Sequence, residues 1–160
     1  TEGEVLTKYM DGIGFLTVAV GRYTQVNVSA FSAPREFSDY IGEKLVVPGF
    51  HLTQQPKSRF NFSYRVLTDT GYQIHILYNC LATQSGESHA TLGDSVEPEP
   101  LSWVFDATPA ILQNTRPTAH FIIDPSVNPS LAATLEDLLY GTAIAEPNCP
   151  TPQALMTMFD

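Results

Sequence analysis

The chain has 160 residues, 43% of them hydrophobic, enough to bury a core as one domain over 1–160. Its 8 basic and 17 acidic side chains leave a net charge of −9, which argues against a nucleic-acid grip or an anionic membrane partner. The excess is one-sided: residues 1–80 hold seven Lys/Arg and seven Asp/Glu, and residues 81–160 hold Arg116 alone against ten acids. No apolar window of ~20 residues is present to span a bilayer.

Residues 1–12 read as polar and irregular. They begin at Thr1 with no signal-peptide pattern, so a processed N-terminus or a preceding segment is expected. Ile13 to Val20 is a continuous apolar run of strand length, and Tyr23 to Phe31 alternates, with Val26, Val28 and Ala30 opposed by Gln25, Asn27 and Ser29. The pair is expected to form a hairpin turning at Gly21-Arg22. Ser32, Pro34, Phe37, Tyr40, Ile41 and Gly42 then give the cap, early proline, apolar spacing and stop of a short helix near 34–41. Leu45 to Thr53 is extended, and Pro48 demotes it to an edge strand or a loop.

Ser58 to Leu81 is the most regular amphipathic stretch. Phe60, Phe62, Tyr64 and Val66 alternate with Asn61, Ser63 and Arg65; after the turn Asp69-Thr70-Gly71, Tyr72, Ile74, Ile76, Tyr78 and Cys80 share a face. Such a hairpin needs a second layer over its apolar face. Ala82 to Pro100 is polar and acidic, and is expected to be an exposed loop or contact arm. Leu101 to Thr108 places Leu101, Trp103, Phe105 and Ala107 on one face before Pro109, and Pro117 to Asp124 does the same with Ala119, Phe121 and Ile123. A third hairpin is expected from them.

The period then changes. Asn128 can cap, Pro129 takes the first helical position, Leu131, Leu135, Leu138 and Leu139 recur at helical spacing, and Gly141 stops a helix over about 128–140. One such helix among many strands is expected to lie across a sheet or against the open end of a β-sandwich. Residues 142–160 read as an extended, proline-stiffened arm with a short helix at 152–159. The core expected from these patterns comprises Phe60, Phe62, Tyr64, Ile74, Ile76, Tyr78, Trp103, Phe105, Phe121, Leu135 and Leu138. Leu155, Met156 and Phe159 on the last helix, with Glu97 and Glu99 in the acidic arm, are the candidate contacts to a neighbouring subunit.

Chemistry-bearing patterns are weak throughout. His51, His75, His89 and His120 show no metal-ligand spacing, and His75 and His120 read as surface residues on the polar faces of strands. Gly12-Ile13-Gly14 lacks the third glycine and helix of a dinucleotide loop, and Ser85-Gly86 makes no nucleophile elbow. Asp106 and Asp124 end adjacent predicted strands, a placement too common to assign a glycosidase pair. The sequons at Asn27 and Asn61 fall inside predicted strands. Cys80 and Cys149 read as structural thiols. No catalytic residue, cofactor or metal is therefore assigned, and the chain is not read as an enzyme.

The segments VNVSAFSAPREFSDY, RFNFSYRV with DTGYQIHILYN, VEPEPLSWVFDATP, RPTAHFIIDPS, LEDLLYGT and CPTPQALMTMF follow one another from Asn27 to Phe159. Their order and spacing resemble the tail tube (major tail) proteins of long non-contractile-tailed bacteriophages; residues 1–25 match least. The resemblance implies a mainly β chain, an antiparallel β-sandwich or open barrel with a flanking helix. It also implies homohexameric rings stacked into a tube, with strands of all six subunits joined in a continuous β-barrel. The implied location is the virion tail, after synthesis in the host bacterial cytoplasm, and the implied partners are other copies, the tape measure, terminator and distal tail proteins, and double-stranded DNA in transit. Acids facing the lumen would repel DNA phosphates. The alternatives are a distal tail or baseplate protein with a tube-like domain, or a carbohydrate-binding β-sandwich, which needs a solvent-facing row of Trp and Tyr.

Overall fold

The computed structural model describes residues 5–10, 13–19, 24–84, 100–113 and 115–159, the first two segments by their backbone alone. The described chain is mainly antiparallel β with three α-helices. In order these are β1 (Val5–Met10), β2 (Ile13–Ala19), β3 (Thr24–Ala30), a 3-10 turn at Arg35–Phe37, α1 (Ser38–Ile41), β4 (Lys44–Val47) and β5 (Phe50–Leu52). Then come β6 (Phe60–Thr68), β7 (Gly71–Gln84), β8 (Leu101–Ala107), β9 (His120–Ile123), α2 (Pro129–Tyr140) and α3 (Pro152–Phe159).

The main sheet is built on β7. One edge of this 14-residue strand pairs with β6 through a tight turn closed by Thr68 and Gly71. Its other edge is shared end to end, with β9 along Ile74 to Leu77 and β8 along Cys80 to Gln84; β3 then pairs with β8. β1 with β2 and β4 with β5 form separate two-stranded sheets. Among the described residues the strands close into no barrel.

A β-bulge sits where β7 changes partners. Phe60 faces Cys80 and Phe62 faces Leu77, so Asn61 alone opposes both Tyr78 and Asn79. Asn79 takes φ 55°, a left-handed conformation that a short polar side chain tolerates far better than a β-branched one. Three hydrogen bonds hold the irregular backbone. Tyr78 N–H donates to Ala119 O (3.0 Å), Asn79 N–H donates to Asn61 Oδ1 (3.1 Å), and Asn79 O accepts from Arg59 Nη1 (3.0 Å).

The extra residue reverses the alternation of β7. Ile74, Ile76 and Tyr78 point to the α2 side, where they pack with Ile123, Leu135, Leu139 and Leu155. Leu77, Cys80 and Ala82 point the other way, into a cluster with Trp103, Phe105, Ala107 and Ala119 that Phe37 and Ile41 cover. Phe60 and Phe62 stand edge-on to Phe105 at 4.9 and 5.0 Å, and Phe37 stands edge-on to Trp103 at 5.5 Å. The sheet thus carries a core on each face.

Several expectations change. The aromatic side chains of β6 and the aliphatic ones of β7 lie on opposite faces, because Tyr64 pairs with His75 and Arg65 with Ile74. Cys80 leaves the Tyr78 face at the bulge, and Ala119 likewise joins the opposite cluster from Phe121 and Ile123. The partner of β2 is β1, a strand within the stretch read as irregular, whereas β3 pairs with β8; the turn expected at Gly21-Arg22 lies outside the described residues. β8 and β9 form no hairpin, since they lie end to end along one edge of β7, and among the described residues only Ala110 and Thr118 bridge between them. Residues 82–84 complete β7 instead of starting a loop, and the rest of the arm to Glu99 lies outside the described residues.

The helices follow their signals more closely. Asn128 Oδ1 accepts from Leu131 N–H at 3.3 Å and Pro129 opens α2, as the sequence indicates. Ser32 caps nothing at the first helix: Pro34 occupies the N-cap and makes no side-chain bond. Gly42 stops α1 at φ 83°, and a Cβ there would stand 2.7 Å from Gln55 O, so both conformation and space exclude a side chain. Of the expected core, Ile74, Ile76, Tyr78, Trp103, Phe105 and Leu135 are buried, whereas Phe60, Phe62, Tyr64, Phe121 and Leu138 are half-buried. No helix among the described residues is long and apolar enough to cross a membrane.

The bulge makes the first prediction. Asn79→Val forces a β-branched residue to positive φ and is expected to destabilise the fold by about 1–3 kcal/mol. Asn79→Gly is expected to stay within about 1 kcal/mol of wild type. Urea unfolding midpoints of the two variants check this, and equal losses would contradict the assigned backbone.

Candidate functional site

The described surface offers no catalytic constellation, and its distinctive features are apolar and structural. β9 is an open edge: β7 occupies one side, and among the described residues no strand pairs with the other. Tyr78 N–H bonds Ala119 O, so by the antiparallel alternation Phe121 and Ile123 turn their backbone groups toward β7 and Ile122 turns its own outward. Beside this edge a groove of about 310 Å³ runs between β9 and α3, lined by Phe121, Ile122, Ile123, Val127, Met156 and Phe159 over Leu155. Ile122 and Val127 are 55% and 83% exposed.

Of the contact candidates read from sequence, Met156 and Phe159 lie in this groove, half-buried and exposed respectively. Leu155 is 3% exposed and packs against Ile74 and Leu135, so the chain itself buries most of the apolar face expected to need a neighbour. The arm carrying this helix is fastened by Tyr78, whose hydroxyl donates to Pro150 O at 2.9 Å. Glu97 and Glu99 lie outside the described residues.

Sequence reasoning missed the β4–β5 hairpin. Pro48 and Gly49 form its turn, with Gly49 at φ 86°, the proline-then-glycine order of a type II turn. Both strands are exposed throughout, and Leu45, Val46, Val47, Phe50 and Leu52 each keep 40% or more of their surface in solvent. The Pro-Gly dipeptide between apolar runs was the available signal. Ile122 had one as well, an apolar residue where alternation with Phe121 and Ile123 calls for a polar one.

Two polar clusters hold the elements around the groove. Arg65 on β6 reaches Glu136 of α2 at 3.0 Å, and its guanidinium lies 5.3 Å from the Tyr72 ring and 5.0 Å from the Tyr140 ring. Bonding to the Glu136 carboxylate, with some desolvation, holds the Tyr72 hydroxyl proton above its ordinary range. This cluster clamps the helix layer to the hairpin.

On the other face, His75 Nδ1 and His120 Nε2 are 2.9 Å apart, and His75 stacks on Tyr64 at 4.9 Å. The ring centroids are 5.0 Å apart, so the facing nitrogens lie between the rings as an in-plane hydrogen bond requires. Neither histidine is the surface residue expected: register sets His75 beside Tyr64, His120 packs on His75 from the other edge of β7, and both are half-buried. His75 Nε2 is buried with no partner among the described residues. We assign the tautomer in which His75 Nδ1–H donates to His120 Nε2, because the reverse would strand a buried N–H. Burial, with the neighbouring His75, pushes the pKa of His120 below 6.5.

The two aspartates singled out in the sequence have structural partners. Asp106 accepts from Gln25 Nε2 at 2.6 Å, and Asp124 accepts from Ser126 N–H and Oγ at 2.9 and 2.7 Å, bonds that lower its pKa. Burial raises the Cys80 thiol to about 11 and the Cys149 thiol in the same direction, away from reactivity. Among the described residues no three His, Cys, Asp or Glu converge to hold a metal. No family model, curated protein or solved structure matches the chain.

Two measurements test these clusters. A histidine whose folded pKa lies below its unfolded value adds stability above the unfolded pKa, which is lost as pH falls. Stability is therefore expected to decline as pH drops below about 6.5, and His120→Gln is expected to flatten that decline in urea titrations at successive pH values. Arg65→Ala leaves the Glu136 carboxylate against aromatic rings without its cation, and a loss of about 1–3 kcal/mol is expected in the same assay.

Proposed function

We propose that this chain is a structural subunit that assembles with copies of itself into stacked hexameric rings, the tail tube of a long non-contractile-tailed bacteriophage. The observation that carries the reading is the surplus of strand edges. Among the described residues β3 and β6 terminate the main sheet, β9 has a free side, and the β4–β5 hairpin is a separate sheet. Leu67 on β6 is 88% exposed, and the apolar residues of β4 and β5 are open to solvent. Open edges of this kind are aggregation hazards on a monomer and are removed by closure between subunits. The ordered signatures from Asn27 to Phe159 point the same way, and the sandwich or open barrel of such proteins is completed by neighbours.

The acidic balance fits a conduit. Net negative charge facing a lumen keeps DNA phosphates from adhering, whereas a wall of Lys and Arg would hold them. A carbohydrate-binding reading is less well supported, because Trp103 is 4% exposed and packs under Phe37. Among the described tyrosines, Tyr140 is the large exposed one, and it stands on a helix beside Arg65.

Electron micrographs of the purified chain test the proposal. Hollow tubes of six-membered rings are the expected result; a monomer that stays dispersed at every concentration and binds a glycan array would overturn it.

A further inference from the structure

Two unpartnered apolar features stand on one chain, the β4–β5 hairpin and the β9–α3 groove. They are complementary. The groove offers a strand edge with outward backbone groups at Ile122 and an apolar wall; the hairpin offers a short apolar strand whose outer edge pairs with nothing among the described residues. Their charges also match. Asp124, at the end of β9, is the one charged residue lining the groove among the described residues, and its bonds to Ser126 favour the carboxylate. Lys44 opens β4, and its ammonium makes no ion pair or hydrogen bond among the described residues, whereas Lys57 and Arg59 already bond Ala82 O and Asn79 O.

We infer that β4 of one copy adds antiparallel to the free edge of β9 in a second copy, with its hairpin seated in the β9–α3 groove. Antiparallel addition sets Lys44 beside Asp124, Leu45 beside Ile123, Val46 beside Ile122 and Val47 beside Phe121. Backbone pairing supplies the contact, and the apolar residues of the two strands cover one another. Each copy gives a hairpin and receives another, so the contact is head-to-tail and propagates into a ring or a filament. The inference rests on the self-assembly reading above for its occupant and specifies the contact which that reading leaves open.

The test uses the full chain in two variants at exposed positions. Leu45→Asp/Val47→Asp spoils the hairpin, and Ile122→Asp spoils the groove. In sedimentation velocity the wild type is expected to form multimers that grow with concentration, and each variant alone is expected to remain monomeric. Mixed in equal amounts, the variants retain one intact hairpin and one intact groove, so dimers that grow no further are expected. Variants that assemble like the wild type overturn this contact while self-assembly stands; a wild type that stays monomeric overturns both and leaves the groove to an unrelated partner. Mixing Val46→Cys with Ile122→Cys under oxidation gives an independent check without buried charge. A disulfide-linked pair found in the mixture alone is expected, and its absence overturns the register.

Discussion

The constraint on which the fold depends is one extra residue in β7. A regular strand presents one set of alternate side chains to each face, and β7 contains apolar residues at both parities. The bulge at Tyr78 and Asn79 resolves this by changing parity midway. Ile74, Ile76 and Tyr78 serve the helix side, and Cys80 and Ala82 serve the aromatic side. The same irregularity divides the outer edge of β7, with β9 on one side of the bulge and β8 on the other. A flat, unbulged strand would bury one cluster and expose the other.

The layers are fastened to this strand by directional contacts as well as by packing. On the helix side, Arg65 and Glu136 tie α2 to the hairpin, and the Tyr78 hydroxyl ties the C-terminal arm to the strand centre at Pro150. On the aromatic side, Lys57 and Arg59 donate to backbone carbonyls of β7, one on each side of Cys80. Lys57, Arg59 and Arg65 are in this sense internal fixtures. Of the acids in the C-terminal half, Asp106 accepts from Gln25 and Glu136 pairs with Arg65, both far off in sequence, whereas Asp124 finds its partner locally in Ser126.

What the sequence made legible follows from how local each signal is. The β6–β7 hairpin, α2 with its Asn128 cap, and the Gly42 stop each depend on residues a few positions apart, and each is present. Pairing between distant segments was not legible. Nothing near Thr24 marks β8 as its partner, and proximity alone points to β2. The bulge was hidden for a related reason: Asn79 is an ordinary polar residue in the pattern, and its left-handed backbone follows from the competing demands of two cores. The groove was half visible, through Met156 and Phe159. Its β9 side needed the knowledge that β9 has a free edge.

The pairing of β3 with β8 has a consequence for synthesis. The last residue of β3, Ala30, pairs with Leu101, the first of β8, so about 70 residues must be made before the partner exists. At ribosomal rates this interval lasts roughly 4–14 s. The alternating strand Thr24–Ala30 thus waits for a distant partner, whereas β6 and β7 are joined by a two-residue turn and need none. The main sheet therefore joins a local hairpin at its middle to an edge strand whose pairing is all long-range.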